Sequence, residues 1–359
     1  MSGLKILYVA SNMRHINNFH LEYIDALRAD GNTVHTLARG EGADYDIPFE
    51  KKIFSRGNGK CRKMIAEIVK NGDYDAILLN TSLAAFHTRI ALRGAKRPRV
   101  VNLVHGYLFS EDTGRIKSCC LKLAEWAVRG KTDAIITMNK WDFDYAKAKK
   151  LTRGRVYACH GMGVRVRDTV TAPERIRAEF AGEDKVVFCF VGELSARKNQ
   201  DFLIRAHKEI LAEIPNAVLW LVGDGGERDG LSALARELGV SDSVIFAGQR
   251  ADACDFIRAS DVYVSASTIE GLPFNILEAL GLGKTVVASR IKGHTDLIKD
   301  GMSGYLFDHG DTEKYVKTAV FAARGGAIAE KTALSAFSPY EHSTVFPETL
   351  AIIKEALYG

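Results

Sequence analysis

The chain has 359 residues, of which 47% are hydrophobic and 26% are charged, the composition of an ordinary globular protein. This length suggests two domains, since a domain usually holds about 100–200 residues. No stretch reaches the ~18 apolar residues that a membrane-spanning helix needs, which excludes an integral membrane protein built on helices.

Charge is distributed unevenly along the chain. Residues 1–169 carry 29 Lys and Arg against 17 Asp and Glu, whereas the remainder carries 20 against 27. A basic half suits nucleic acid, an anionic membrane surface or a phosphorylated substrate. Because the sequence has no zinc module, RRM signature or aromatic-interleaved basic repeat, nucleic acid is not an expected partner.

The six cysteines indicate a reducing environment. They form neither a CxxC pair nor a Cys/His cluster with the spacing of metal ligands, so no metal site is expected. The N-terminus lacks the pattern of a signal peptide. We therefore expect a cytoplasmic protein.

The first half alternates apolar runs with helical patterns. An apolar run at 4–10 is followed by a predicted polar loop at 11–18 and by a helical pattern through Phe19, Tyr23 and Leu27. Further strands are predicted at 33–38, 75–80, 99–106, 133–138 and 156–163. Strands separated by helix-length segments indicate βαβ units and a parallel sheet.

The pattern breaks at 168–173, which predicts an interdomain linker. A second series of strands follows, at 185–194, 217–225, 243–249, 261–267, 284–290 and 303–307. We therefore predict an α/β protein with two Rossmann-like doubly wound domains, 1–168 and 169–336, facing a central cleft that would hold ligands. Residues 337–359 are predicted to form a C-terminal helix that crosses back to the first domain.

The segment 270–280, EGLPFNILEAL, carries the strongest functional signal. A strand, a tight turn and a helix start make an anion-binding device, because the first helical N–H groups lack internal partners. Gly271 allows close backbone approach, and Pro273 suits the first helical turn. Glu270 and Glu278 flank this turn and suit the hydroxyls of a sugar and a ribose. The alternative is a capping acid and a solvated helical glutamate.

This segment closely resembles the EGxPxxxxEA signature of retaining GT-B glycosyltransferases of family 4, the glycosyl transferases group 1. The EGLPxN variant is similar to the capsule and exopolysaccharide branch of that family. The similarity covers about residues 186–310, through VGELSARKNQDFLIRA and LVGDGGERDGLSALARELG, and matches the first half only at the N-terminal strand and VHGYLF. It implies a GT-B fold and metal-independent, retaining transfer from a nucleotide diphosphate sugar, expected to be UDP-linked, in cell-surface polysaccharide synthesis.

The resemblance also assigns residues to the donor. It implies that Glu278 binds the ribose hydroxyls, that Glu270 lies near the donor sugar, and that backbone N–H groups around Phe274 and Asn275 hold the diphosphate. The other implied nucleotide-binding residues lie in turns that follow strands, namely Gly192, Gly223, Asp224, Gln249, Arg250, Gly271 and Leu272.

Cations are expected beside the departing diphosphate, because they stabilise its developing charge. The family places an Arg directly after the glycine that corresponds to Gly192, and a Lys some residues later. Lys198 matches the Lys, but Glu193 stands in the position of the Arg. Arg197 is a candidate for the second cation, with a solvated basic loop as the alternative.

His105 follows a strand of the first half, where the family has an equivalent histidine. We interpret it as a catalytic residue that contacts a sugar or supports the reacting centre; a satisfied core histidine is the alternative. His15 is a weaker candidate for contact with the acceptor. His160 and His294 also follow strands.

Residues 115–131 form a basic amphipathic segment. It is either a helix lying on a membrane surface or a core-facing helix with a solvated basic rim. The basic first half suits a saccharide acceptor, including one linked to undecaprenyl diphosphate, and peripheral contact with the inner face of the plasma membrane. The remaining functional alternatives are a non-catalytic nucleotide-sugar-binding partner subunit and a sugar-nucleotide 2-epimerase.

Overall fold

The computed structural model describes residues 3–50, 53–92, 97–110, 113–182 and 184–359. The chain divides into two units, Met1–Gly163 with His342–Gly359, and Val164–Glu341. The division falls after Gly163, whereas the sequence placed the boundary at 168. The reason is that the segment after Gly163 is held by the second unit: the N–H of Val164 donates to the backbone oxygen of Tyr340 at 2.9 Å, and the guanidinium of Arg258 donates to the backbone oxygen of Arg167.

The first unit is built on a seven-stranded parallel sheet. Its strands are β1 (Lys5–Val9), β2 (Thr33–Ala38), β3 (Tyr45–Asp46), β4 (Ala76–Asn80), β5 (Arg99–Val104), β6 (Ala134–Thr137) and β7 (Val156–Ala158), in the order β3-β2-β1-β4-β5-β6-β7. The helices are α1 (Met13–Phe19), α2 (Leu21–Ala29), α3 (Asn58–Gly72), α4 (Ser82–Ala91), α5 (Arg115–Val128) and α6 (Lys140–Ala148), with a 3-10 turn at Arg129–Lys131. Strand β4 is buried throughout and β5 is buried from Val100 onward, as expected where helices cover both faces of a parallel sheet.

Helix α1 corrects the predicted polar loop at 11–18. The side chain of Asn12 caps this helix by accepting from the backbone N–H of His15 at 2.9 Å. Met13 and Ile16, three residues apart, then lie on one face and are buried. The loop prediction was wrong because a cap and two apolar residues outweigh the polar composition of the segment.

The second unit is built on a six-stranded parallel sheet. Its strands are β8 (Val186–Val191), β9 (Ala217–Val222), β10 (Val244–Gly248), β11 (Val262–Ser265), β12 (Thr285–Ser289) and β13 (Tyr305–Phe307), in the order β10-β9-β8-β11-β12-β13. The helices are α7 (Pro173–Phe180), α8 (Gln200–Glu213), α9 (Arg228–Glu237), α10 (Ala253–Ala259), α11 (Phe274–Gly281), α12 (His294–Leu297), α13 (Thr312–Ala323) and α14 (Glu330–Phe337). The two units have the Rossmann-like, doubly wound architecture that the sequence predicts.

The C-terminal helix α15 (His342–Tyr358) belongs to the first unit. Arg99 donates from Nε to the backbone oxygen of Ala356 at 2.7 Å, and the hydroxyl of Thr349 donates to the backbone oxygen of Gly161 at 2.8 Å. Neither this helix nor any other in the described ranges combines the length and the apolar character needed to cross a membrane.

Candidate active site

The strand order of the second unit reverses between β8 and β11. From β8 the chain proceeds through β9 and β10 to one edge of the sheet, and from β11 through β12 and β13 to the other. The carboxyl ends of β8 and β11 therefore form a topological switch point, where doubly wound sheets bind their ligands. The turns at 192–199 and 266–273, which carry the two strongest sequence motifs, follow these two strands directly.

Three charged side chains meet between these turns. Lys198 Nζ lies 2.6 Å from Glu270 Oε1, and Arg197 Nη1 lies 2.8 Å from Glu270 Oε2. Glu270 and Lys198 are buried, each with 8% of its surface exposed, while Arg197 is exposed. Burial opposes ionisation of Glu270, but the charges of Lys198 and Arg197 outweigh it and lower its pKa to about 2. The cluster thus carries one buried carboxylate between two cations.

The backbone fixes the position of these cations. Thr268 donates its N–H to the backbone oxygen of Arg197 at 2.9 Å, which joins the two turns. Asn199 adopts a left-handed backbone conformation and donates from its side chain to the backbone oxygen of Ala266 at 3.1 Å. Glu193, in contrast, is exposed. The cation that accompanies Lys198 in the structure is therefore Arg197, four residues beyond the position where the family pattern has its arginine.

Helix α11 begins at Phe274, directly after Pro273, as the motif predicts. The side chain of Asn275 donates to the backbone oxygen of Val191 at 2.8 Å, which ties the helix start to the end of β8. Gly293 has a positive φ of 82°, and a Cβ there would lie 2.7 Å from the backbone oxygen of Gly271. The turn before α11 is thus packed backbone to backbone, and the positive end of the helix dipole lies at the switch point.

Glu278 lies one helical turn after Phe274 in a setting unlike that of Glu270. It is half-buried, and burial raises its pKa to about 6, although Arg167 and the thiol of Cys254 act in the opposite direction. The two glutamates of the motif therefore differ in pKa, because two cations lower the pKa of Glu270 whereas burial raises that of Glu278. Such a difference is typical of functional carboxylates. Arg167 gives no sequence signal, because it lies in an irregular segment far from the motif.

The glycines of LVGDGG are required by packing between loops. Gly223 has a φ of 138°, and a Cβ on it would lie 2.0 Å from the backbone oxygen of Gly192. Gly225 is similarly close to the backbone oxygen of Leu194, at 2.2 Å. Asp224 is exposed, and its carboxylate accepts from the N–H of Gly225. The turns after β8 and β9 are thereby held together at the switch point.

Arg250 is paired with the carboxylate of a neighbouring residue. Its guanidinium makes two hydrogen bonds of 2.8 Å to the carboxylate of Asp252 and lies over the rings of Phe180 and Phe256. These hydrogen bonds lower the pKa of Asp252 to about 2. The neighbouring Gln249 is exposed. Of these two predicted nucleotide-binding residues, Arg250 is in a described ion pair and Gln249 is not.

The candidate histidines lie in different places. His105 follows β5 in the first unit and packs against His15 and His20, with ring centroids 4.6 and 4.9 Å apart. His160 is exposed and lies 3.1 Å from Glu348. His294, in the second unit, is fully buried beside the Glu270 cluster. Burial lowers the pKa of His294 to about 4, and the charge of Glu270 partly offsets this effect. Sequence reasoning did not single out His20.

Helix α5 exposes its apolar face. The residues that it buries are Ser118, Leu121, Glu125 and Val128. The opposite face presents Ile116, Cys119, Leu123 and Trp126, with exposed fractions of 84% for Ile116, 60% for Leu123 and 50% for Trp126. The helix therefore packs on the core through Leu121 and Val128, as the core-facing interpretation predicts, and it also presents apolar residues to solvent, so the membrane interpretation stays a prediction. We call the four residues of the opposite face the α5 apolar face.

Residues 172–322 match the profile of the family described as glycosyl transferases group 1. This range covers the switch point, the charged cluster and all the turns described above. It agrees with the resemblance that the EGLPFNILEAL segment carries.

Individual proteins show the same similarity. EpsD of Bacillus subtilis (strain 168), named as a glycosyltransferase, is 29% identical over 326 residues, which cover 87% of this chain and 86% of EpsD. The Escherichia coli UDP-Gal:alpha-D-GlcNAc-diphosphoundecaprenol alpha-1,3-galactosyltransferase is 26% identical over 71% of this chain and 67% of its own length. The crystal structure of Anabaena HepE in complex with UDP and glucose has a TM-score of 0.71, at 19% identity, over 98% of this chain and 100% of HepE. This last likeness bears on the fold, which is GT-B.

Proposed function

Since this chain is a glycosyltransferase with a glycosyl transferases group 1 domain, we propose that it transfers a sugar from a UDP-sugar with retention of anomeric configuration, in the synthesis of a cell-surface polysaccharide. The observation that carries the proposal is the pairing of Lys198 and Arg197 with Glu270 beside the start of α11. Two cations and a helix N-terminus at a switch point suit a diphosphate.

The donor is proposed to lie along the turns of the second unit. Its diphosphate would contact the backbone around Phe274 and Asn275, with Lys198 and Arg197 beside it. The ribose would hydrogen-bond to Glu278, and the turns at Gly192 and Gly223 would allow close approach of the nucleotide. Because these groups supply positive charge themselves, we propose that donor binding needs no metal ion or other cofactor.

The proposed reaction exchanges one bond for another at the anomeric carbon of the donor sugar. The bond from this carbon to the diphosphate oxygen breaks, and a bond to an acceptor hydroxyl oxygen forms on the same face. The proton of the acceptor hydroxyl passes to the departing phosphate oxygen, so no protein nucleophile takes part. Lys198 and Arg197 would stabilise the charge that develops on the diphosphate. Glu270 would orient both cations and contact the sugar.

For the acceptor we propose a saccharide, including one linked to undecaprenyl diphosphate. The name of the similar E. coli galactosyltransferase describes such an acceptor. The basic character of residues 1–169 suits a phosphorylated molecule. An open pocket of about 520 Å³ beside α5, lined by Arg115, Lys122 and Lys149 among others, combines cations with the apolar side chains of Leu123 and Trp126. His105 is proposed to contact an acceptor or donor sugar.

We further propose that the α5 apolar face binds the surface of an anionic membrane. Lys122 and Arg129 flank the exposed Trp126, and the guanidinium of Arg129 stacks 3.8 Å from the centre of the Trp126 ring. An apolar helix face bordered by cations is the arrangement of interfacial helices. Such contact would place the chain where a lipid-linked acceptor is found.

The double substitution Leu123→Glu/Trp126→Glu is expected to abolish vesicle binding, because it places two negative charges on the proposed contact. Cosedimentation with vesicles that contain phosphatidylglycerol measures this. Met302→Glu, at a similarly exposed apolar residue of the second unit, should bind as the unaltered protein does. The unaltered protein should bind less at high salt, since counterions screen the attraction. Equal binding by the double variant would overturn the proposal.

Glu278→Ala is expected to weaken UDP binding about 10–100-fold, since hydrogen bonds to a charged group contribute about 1.5–3 kcal/mol. Isothermal titration calorimetry measures the affinity. Glu237→Ala, at an exposed residue of α9, should leave it unchanged. Unaltered UDP affinity in Glu278→Ala would refute the ribose role.

The ribose role also predicts a dependence on pH. Burial raises the pKa of Glu278 to about 6, so the carboxylate protonates, and accepts hydrogen bonds less well, as the pH falls through that value. UDP affinity should therefore fall below about pH 6. UDP also changes its protonation with pH, so Glu278→Gln serves as the reference variant. The difference in UDP affinity between the unaltered protein and Glu278→Gln should disappear at low pH and be largest above pH 6. Parallel profiles would contradict the assignment.

A further inference from the structure

Three histidines of the first unit converge around one point. His15 lies in α1, His20 lies between α1 and α2, and His105 directly follows β5. His15 Nε2 and His20 Nε2 are 3.1 Å apart. Each of the three rings offers a nitrogen that lies within 4.8 Å of the others. The cluster thus joins segments that are distant along the chain.

These separations suit the ligands of one metal ion. Two imidazole nitrogens that bind a tetrahedral zinc ion at about 2.0–2.1 Å are roughly 3.3 Å apart. The distance of 3.1 Å between His15 and His20 is close to this value. The nitrogen of His105 lies within 4.8 Å of the other two.

Burial favours the neutral form of the three histidines. Burial is the largest cause that lowers the pKa of all three histidines, to about 4 for His15 and well below the usual value for His20 and His105. Neutral imidazole is the form that binds a metal ion. The Nε2 atoms of His15 and His20 share a hydrogen bond, so the proton that one of them carries must move to the other ring nitrogen before both can bind an ion.

A hydrogen bond orients one of the rings, and a second ring has a buried nitrogen without a described partner. The hydroxyl of Tyr8 lies 2.7 Å from His20 Nδ1, so Nε2 is the nitrogen of His20 that faces the cluster. A hydrogen bond to the outer ring nitrogen is the usual support of a metal-binding histidine. His105 Nε2 is buried and has no hydrogen-bond partner among the residues that the structure describes. A buried nitrogen of this kind costs free energy unless a ligand satisfies it.

We propose that His15, His20 and His105 form a binding site for one divalent transition-metal ion of the zinc class. Imidazole ligands suit zinc, copper, nickel and iron rather than magnesium or calcium. Three protein ligands leave a fourth position for water. The ion would tie α1 and the start of α2 to the end of β5. The residues proposed for the diphosphate and the ribose of the donor lie in the second unit, so the metal site is independent of those contacts. It shares only His105 with the proposed sugar contact.

Cobalt is the probe for this site, because tetrahedral Co²⁺ absorbs visible light. Protein without a histidine tag is stripped with a chelator, dialysed and titrated with CoCl₂. We expect the absorbance to saturate at one equivalent and to disappear when Zn²⁺ is added. His15→Ala and His105→Ala should abolish the signal, and Tyr8→Phe should weaken binding by about 10–100-fold. His160→Ala, at an exposed histidine of the same unit, should titrate as the unaltered protein does.

Thermal unfolding gives an independent readout. Zn²⁺ should raise the melting temperature of the unaltered protein, because it binds the folded state, and should leave that of His15→Ala unchanged. Circular dichroism of each variant shows whether it is folded. Failure of the unaltered protein to bind Co²⁺ saturably would overturn the proposal without any variant. So would a cobalt signal that survives in folded His15→Ala and His105→Ala.

Discussion

Lys198→Ala is expected to lower the turnover number about 10²–10³-fold, the usual loss when one group that stabilises transition-state charge is removed. Lys198 is buried and lies 2.6 Å from Glu270. A buried ammonium acts in a low effective dielectric, so its attraction for a departing diphosphate is weakly screened. Removing it also leaves the exposed Arg197 as the remaining partner of Glu270 among the ion pairs of the described residues. Release of UDP from the donor that the unaltered protein uses measures the effect.

The control for this variant is Lys317→Ala. Lys317 is exposed on α13 and pairs with Glu313 one turn away, a type of surface contact that contributes little. Its turnover number should match that of the unaltered protein. Arg197→Ala should have a smaller effect than Lys198→Ala, because Arg197 is more exposed. A Lys198→Ala enzyme that retains full turnover would show that this lysine does not act on the leaving group.

Arg89→Ala is expected to destabilise the first unit by about 3–5 kcal/mol, since breaking a buried ion pair leaves an uncompensated charge. Arg89 is almost fully buried in α4, and its guanidinium makes hydrogen bonds of 3.0 and 2.9 Å to the two carboxylate oxygens of Glu125. It also donates to the backbone oxygen of Ala85. This pair holds the buried face of α5 against α4, while the α5 apolar face stays exposed.

The melting temperature of the first unit should accordingly fall by about 6–20 °C in Arg89→Ala. Differential scanning calorimetry measures it. The double variant Arg89→Met/Glu125→Leu should recover most of the loss, because apolar residues of similar volume remove both buried charges together. If Arg89→Ala and the double variant melt at the same temperature, the loss of stability comes from lost packing and not from the unpaired carboxylate of Glu125.

The sequence predicts the strands of both units well, because strands buried on both faces read as continuous apolar runs. The elements that the sequence does not predict are short. Strand β3 has only two residues, Tyr45 and Asp46, too few for a periodic pattern. The sequence of helix α1 is mostly polar, so its apolar pattern is weak, and the helix depends on the cap at Asn12. The α/β class follows from periodicity, whereas such elements depend on local hydrogen bonds that composition does not reveal.

The motif locates the candidate site, but its electrostatics come only from the structure. EGLPFNILEAL contains two glutamates that look equivalent in sequence. In the fold, Glu270 faces two cations and Glu278 is half-buried near Arg167. Likewise, helical spacing groups the apolar residues of α5 on one face, but it does not reveal whether that face meets the core or solvent. Tertiary packing decides both questions.

Turnover of a panel of UDP-sugars by the unaltered protein tests the central claim most directly. Released UDP is measured with and without a mixture of lipid-linked saccharide acceptors, and with a chelator present. We predict that one UDP-sugar is consumed, that an acceptor accelerates UDP release, and that the product keeps the anomeric configuration of the donor. Binding of UDP without transfer or hydrolysis of any sugar in the panel would contradict the account and favour a non-catalytic nucleotide-sugar-binding subunit.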